Sequence, residues 1–237
     1  MQHEGPLDIE HLGVKLRGFV ANPPGVGPFP TVLVMHSALG IHHMATEVAV
    51  KLAAEGYCAV ATDMYGAEAD LSTPMKAGEH YVALLQAPEI LRERCALWFD
   101  AVAALPQVDA ARIAAIGYCF GGKCVLELAR SGRDAKAVIS YHGILDTYAP
   151  AVPGTIMGEV VAYCGAHDPY APNDQTEGLR AEMTAAGARW QITVFGEAAH
   201  GFTDPMAAGD APGIAYNRMA DKVSWAGTMA ILQQVLA

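Results

Sequence analysis

The sequence is short of positive charge, which narrows the partners that it can have. Its 237 residues include 15 Lys or Arg against 25 Asp or Glu, a formal net charge of −10. Such a chain is a poor electrostatic match for nucleic-acid phosphates or an anionic lipid surface. We therefore expect neither nucleic acid nor a membrane among its partners. The sequence does not indicate an oligomeric state.

Long apolar runs and a paired cysteine framework are also missing. The apolar stretches have the length of strands, well short of the roughly 20 residues that a membrane-spanning helix needs. Residues 1–6 show no basic stretch leading into an apolar run, so we expect no signal peptide. The cysteines are odd in number and stand at positions 58, 95, 119, 124 and 164. A cytoplasmic protein with free thiols is predicted.

The chain instead shows alternating strand and helix patterns. An apolar–charged alternation over 12–17 predicts a strand with one solvated face. Further strand patterns lie at 31–35, 57–62, 112–117, 137–141, 160–164 and 191–195, and helix patterns at 44–55, 91–105, 123–130, 175–186 and 216–236. This alternation predicts an α/β fold with a mostly parallel central sheet flanked by helices on both faces. Without repeats or linkers, residues 1–237 are predicted to form a single domain. Segment 66–88 stays undecided between a loop and a short helix over the sheet's carboxyl edge.

The segment Gly117-Tyr118-Cys119-Phe120-Gly121 falls between a predicted strand and a predicted helix. In that context G-x-C-x-G is the cysteine form of the nucleophile elbow, a turn so tight that glycines must flank the nucleophile. The first helical N–H groups and the helix dipole favour a thiolate and can also hold an oxyanion. Cys119 is therefore the candidate nucleophile.

A thiol needs a base, and the base needs an orienting group. Asp168 follows the predicted strand at 160–164, and His200 follows the one at 191–195. In a fold with this elbow, the chain order is nucleophile, acid, histidine. We predict a Cys119–His200–Asp168 triad at one edge of the sheet, acting by acyl transfer to water.

These residues make the sequence resemble the dienelactone hydrolase family over nearly its whole length. The resemblance rests on Val32–Gly40, Asp63–Gly66, the elbow, Asp168, His200–Thr203, Tyr216-Asn217 and Trp225. It implies an α/β-hydrolase fold without a lid domain, an ester or lactone as small-molecule substrate, and no cofactor. It also implies an oxyanion hole formed by the N–H groups of Phe120 and Ala38.

Two departures from the family pattern concern activation and substrate. Ser37 stands where the family usually carries a glutamate that helps to activate the thiol, and serine cannot act as a carboxylate base. Asp204 stands four residues after the histidine, where the family has an arginine that holds a substrate carboxylate. An acidic residue there repels an anionic substrate. A neutral ester or lactone therefore fits better than dienelactone itself.

Several other residues are expected to form the substrate pocket. The substrate-binding candidates are His36, Ser37, Tyr65, Tyr118, Phe202 and Asp204. Further candidates for the pocket walls are Tyr81, Trp98, Tyr141 and His142.

Three other interpretations of the sequence compete with this one. Residues 117–123 fit the start of a phosphate-binding loop, but Cys124 stands where the Mg²⁺-binding hydroxyl should be. His36, His42 and His43 lack a cysteine or carboxylate that would complete a metal site. A weakly active or inactive binding protein, or one that responds to redox conditions through Cys119, is the alternative to an enzyme.

Overall fold

The computed structural model describes residues 4–209 and 212–237 and contains eight strands and six helices within them. The strands are β1 Glu4–His11, β2 Val14–Ala21, β3 Phe29–Met35, β4 Cys58–Thr62, β5 Val108–Tyr118, β6 Ala137–Tyr141, β7 Glu159–Gly165 and β8 Arg189–Phe195. The helices are α1 His43–Ala54, α2 Pro74–Leu85, α3 Pro88–Ala103, α4 Phe120–Arg130, α5 Asn173–Ala185 and α6 Arg218–Val235. None of these helices combines the length and apolar composition needed to cross a bilayer.

The strands form one sheet in the order β1-β2-β4-β3-β5-β6-β7-β8. The strands from β4 to β8 in this order pair in parallel, whereas β1 and β2 pair antiparallel at one end. One buried apolar cluster packs α3, α4 and α5 against one face, and a second packs α1 and α6 against the other. The predicted α/β-hydrolase fold, a mostly parallel sheet covered on both faces, is confirmed.

The N-terminal strand prediction was wrong in its bounds. Leu12 and Gly13 form a two-residue hairpin turn with φ of 52° and 77°, and His11 pairs with Val14 across it. Leu12 is 71% exposed, so it is not part of a strand's apolar face. Leucine is an unusual residue at positive φ and carries no turn signal, which hid both the turn and β1.

Segment 66–88, which the sequence left open, contains α2. Thr73 caps the helix by accepting a hydrogen bond from the Lys76 N–H at 3.3 Å, and Pro74 occupies the first turn. Both features favour a helix start. Tyr81 on this helix reaches the cavity that contains Cys119.

The elbow depends on close backbone packing at Gly121. A Cβ atom at this position would overlap the carbonyl oxygen of Met35, at the end of β3. We expect Gly121→Ala to lower the free energy of unfolding by about 3 kcal/mol or more, since neither backbone can move away cheaply. Gly78→Ala in α2 is the control: a Cβ there meets no atom within 4 Å, and we expect stabilisation of about 0.5 kcal/mol. Urea unfolding of both variants measures the difference, and equal midpoints would contradict this account.

Candidate active site

Cys119 occupies the turn between β5 and α4 in a strained conformation. Its φ of 56° and ψ of −114° are unusual for a residue with a side chain. The Cys119 N–H donates to the Tyr141 carbonyl at 3.0 Å, and the Cys119 carbonyl accepts from the Gly122 N–H at 2.9 Å. Backbone strain of this kind persists where the surroundings hold it, and it clusters at functional sites.

The His200 imidazole is held by Asp168. His200 Nδ1 lies 2.8 Å from Asp168 Oδ2, and both side chains are buried. The other carboxylate oxygen, Oδ1, accepts hydrogen bonds from the N–H groups of Tyr170 at 2.8 Å and Ala171 at 3.2 Å. One oxygen therefore fixes the loop and the other fixes the ring, which leaves Nε2 for the thiol.

The charge environment favours a protonated His200. Burial lowers the pKa of this imidazole, but hydrogen bonds to Asp168 and to the Cys119 side chain outweigh it and raise the pKa from 6.5 to about 10. The folded-state value exceeds the unfolded one, so this contribution to stability is complete below pH 6.5 and is lost as the pH rises through about 10. An imidazole between a carboxylate and a sulfur can hold the thiol proton at neutral pH.

Cys119 and His200 line a common cavity of about 290 Å³. Of the other predicted site residues, Ser37, Ala38 and Asp204 also line it. The remaining described lining residues are Leu39, His42, Met44, Tyr81, His142, Ile144, Tyr170, Gly201 and Ile214. The wall is thus mainly apolar and aromatic, with one carboxylate and, among the described residues, neither lysine nor arginine.

The oxyanion-hole candidates lie on two facing segments. Phe120 is the first residue of α4, where helical N–H groups have no partner within the helix. Ala38 lies in the loop after β3, and its carbonyl accepts a hydrogen bond from the Tyr65 hydroxyl at 3.0 Å. Tyr65 therefore braces this loop instead of lining the cavity.

Both ring nitrogens of His36, which was predicted to bind substrate, form hydrogen bonds with backbone groups. Its Nε2 accepts from the Met64 N–H at 3.0 Å, so its Nδ1 carries the proton and donates to the Ser37 carbonyl at 2.6 Å. It lies outside the cavity lining, and burial lowers its pKa from 6.5 to about 4. A neutral His36 links the loop of Ser37 to the segment after β4.

The lowered pKa of His36 predicts that the protein loses stability in acid. The pKa of His36 falls from 6.5 to about 4 on folding, so its contribution to stability is present above pH 6.5 and is lost as the pH falls towards 4. The loss is about 1.4 kcal/mol per pH unit over that interval. His36→Gln places an amide oxygen near the position of Nε2 and so keeps an acceptor for the Met64 N–H, and we expect its free energy of unfolding to fall less steeply with acid than that of the wild type. Urea titrations across this pH range test it, and parallel slopes would contradict it.

Two further substrate-binding candidates also lie away from the cavity. Tyr118 stacks on Tyr141 at 4.6 Å between ring centroids and lines a separate hollow next to α1 and α6. Phe202 is completely buried within the core. Trp98 and Tyr141, the wider wall candidates, are likewise buried in the core.

Ser37 lines the cavity but is not prepared to act as a nucleophile. The Met44 N–H donates to His42 Nδ1 at 3.3 Å, so His42 carries its proton on Nε2. That nitrogen lies 3.3 Å from Ser37 Oγ and donates to it. A neighbour that donates to the hydroxyl cannot remove its proton. The hydroxyl also accepts from the Leu39 N–H at 3.3 Å.

The sequence did not identify Tyr170 as a site residue, and it placed His142 only in the wall of the substrate pocket. The centre of the His142 ring lies 5.1 Å from that of the His200 ring. Tyr170, on the same loop as Asp168, has its ring centre 4.7 Å from that of the His200 ring. His142 has a positive φ of 38°, and its Nε2 lies 2.9 Å from Thr203 Oγ1. Its place after β6 was the available signal, because neighbouring parallel strands end at the same edge.

The fold and this arrangement at the carboxyl edge define an α/β-hydrolase. The family model described as the dienelactone hydrolase family matches residues 16–236, and the chain belongs to this family of hydrolases.

Similar proteins support this assignment. The solved structure named m3DLH is 31% identical with a TM-score of 0.91, and covers 100% of this chain and 99% of its own. A dienelactone hydrolase-like promiscuous phosphotriesterase from metagenomic libraries is 30% identical with a TM-score of 0.89, over 100% of this chain and 99% of its own. A putative carboxymethylenebutenolidase of Yersinia pestis is 27% identical over 84% of this chain and 79% of its own length.

Proposed function

We propose that the protein hydrolyses small neutral carboxylic esters or lactones, with Cys119 as nucleophile, His200 as base and Asp168 as the orienting acid. The observation that carries the proposal is the Asp168–His200 hydrogen bond of 2.8 Å beside a strained cysteine in the same cavity. Covalent acyl transfer generally requires a nucleophile, a base and a group that orients the base.

The first half of the reaction forms a thioester. Cys119 Sγ attacks the carbonyl carbon while its proton resides on His200 Nε2. The N–H groups of Phe120 and Ala38 stabilise the oxyanion of the tetrahedral intermediate. When the intermediate collapses, the bond from carbon to the leaving oxygen breaks, and that oxygen takes the proton from His200.

The second half returns the free enzyme. Water attacks the thioester carbonyl and gives a proton to His200. The carbon–sulfur bond then breaks, the acid leaves, and the proton returns to the thiol or stays on the imidazole. Asp168 keeps Nδ1–H oriented through both halves. With Ser37 in place of a carboxylate, thiol activation depends on His200.

Trapping the acyl-enzyme tests the proposal. Brief exposure to p-nitrophenyl acetate followed by acid quenching should give a protein mass increased by one acetyl group, located on the Cys119 peptide. Cys119→Ala should show neither the adduct nor turnover, whereas Cys164→Ala, which alters a buried cysteine of β7, should show both. Wild-type protein with neither adduct nor ester turnover would favour the alternative of an inactive binding or redox-responsive protein.

Neutral phosphate triesters are a second candidate substrate class. The 30% identical phosphotriesterase supports it, as does a lining without lysine or arginine among its described residues. A p-nitrophenyl dialkyl phosphate tests it. Turnover that Cys119→Ala abolishes is the expected result, and turnover unchanged in that variant would remove the triad from this activity.

A further inference from the structure

A second cleft adjoins the catalytic cavity. It has a volume of about 430 Å³, and Tyr81, Ile144 and Tyr170 line both spaces. The two spaces therefore share one wall and run from Cys119 towards the surface between α2, α4 and the loop after β6. The residues that line only the second cleft are Leu85, Pro88, Lys123, Asp146, Thr147 and Tyr148.

The outer wall of this cleft is fixed by contacts of the partly buried Arg92. The Arg92 Nη2 donates to Thr147 Oγ1 at 3.2 Å and to the Ala149 carbonyl at 2.7 Å. The Arg92 guanidinium also lies 4.5 Å from the centre of the Tyr148 ring. Its Nε donates to Glu127, which is 1% exposed. A loop held at this many points is a preformed wall.

The same charged network holds the inner end of the loop. Arg130 donates to the Leu145 carbonyl at 3.1 Å and to Glu127 at 3.0 Å. The Lys123 ammonium is neutralised by Asp146 at 2.6 Å. Buried ion pairs contribute little net stability, so their use in fixing one geometry is the better account of this network. The cleft offers no unpaired cation among its described residues, while its rim is aromatic.

Tyr81 spans the boundary between the two spaces. Its ring packs edge-on against Phe120 at 5.4 Å between centroids, beside the elbow. Burial raises the pKa of Tyr81 to about 12, and the charges of Cys119 and of Asp146 add to this. Tyr81 itself lines both the catalytic cavity and the cleft.

We propose that this cleft is an extension subsite that binds an apolar chain or ring on one side of the substrate's ester bond. The inference rests on the proposed function, because it assigns the reacting carbonyl to Cys119. The cleft's continuity with the cavity, its tyrosine rim and its paired charges fit an uncharged alkyl or aryl group. The preferred substrates are then esters larger than an acetate of a small alcohol.

Filling the cleft tests the proposal. Leu85 is half-buried at the end of α2 and lines the cleft but not the catalytic cavity. Leu85→Trp should lower kcat/KM for p-nitrophenyl octanoate about tenfold, because methylene groups lose their apolar site, and leave p-nitrophenyl acetate within about twofold. Ethyl acetate and octyl acetate form a second pair, which reports whether the acyl or the alkoxy side enters. Val82→Trp is the control, since it adds the same ring at an exposed position on the same helix.

The possible results separate this proposal from the proposed function. Selective loss for the long member of either pair in Leu85→Trp supports the subsite. Equal loss for short and long substrates, no loss for either, or the same selectivity in Val82→Trp would overturn it. Acetate hydrolysis that depends on Cys119 leaves the proposed function intact in those cases. Absence of any Cys119-dependent hydrolysis overturns both.

Discussion

His200→Ala is expected to lower kcat/KM for a small activated ester by about 10⁴-fold or more. The variant removes both the acceptor of the thiol proton and the donor to the leaving oxygen, and comparable triad deletions cost this much. Ser37 offers no substitute base, because His42 donates to its hydroxyl. Steady-state hydrolysis of p-nitrophenyl acetate measures the loss, and added imidazole should restore part of it.

His167→Ala is the matched control for this experiment. His167 precedes Asp168 and is exposed, so its loss should leave kcat/KM within about twofold. Asp168→Asn should fall between the two, since the ring keeps a neighbour but loses the carboxylate that fixes its tautomer. Near-full activity in His200→Ala would exclude the triad as the source of catalysis.

The parts of the site that the sequence predicted are those that local sterics dictate. A strand followed by G-x-C-x-G leaves the backbone few ways to turn, and Gly121 has room for no side chain beside β3. The carboxyl ends of parallel strands meet at one edge, so Asp168 and His200 could be placed by their strands alone. Asp168 and His200 indeed lie 2.8 Å apart.

The residues that line the catalytic cavity could not be predicted, because side chains that are adjacent in the sequence point in different directions. Tyr118 and Cys119 are adjacent, yet the Tyr118 ring stacks on Tyr141 and Cys119 lines the cavity. Ile214 reaches the cavity through the pairing of its strand-like segment with His200, a long-range contact without a local sequence signal. His36 was misassigned because its two backbone partners, on separate loops, cannot be read from spacing.

The charge of position 204 is expected to set substrate preference. Asp204 is half-buried in the cavity wall, and its Oδ1 accepts the Met206 N–H at 2.8 Å, which fixes the carboxylate. A unit charge about 6 Å away contributes roughly 3 kcal/mol at an effective dielectric constant of 20. Asp204→Arg should therefore raise the ratio of kcat/KM for a carboxylate-bearing ester over its neutral methyl ester by about 100-fold, after allowance for solvent screening. Asp204→Asn should give an intermediate ratio.

A control variant separates a local effect of residue 204 on substrate preference from an effect of the protein's total charge. Glu197→Arg makes the same change of charge three residues before His200, at an exposed position outside the cavity lining, and should leave the ratio within about threefold at moderate salt. An equal change in both variants would assign the preference to the overall field of this acidic chain. A wild type that already favours the carboxylate-bearing ester would refute the neutral-substrate hypothesis, because Asp204 would then face an anion with no described lysine or arginine in the lining to offset it.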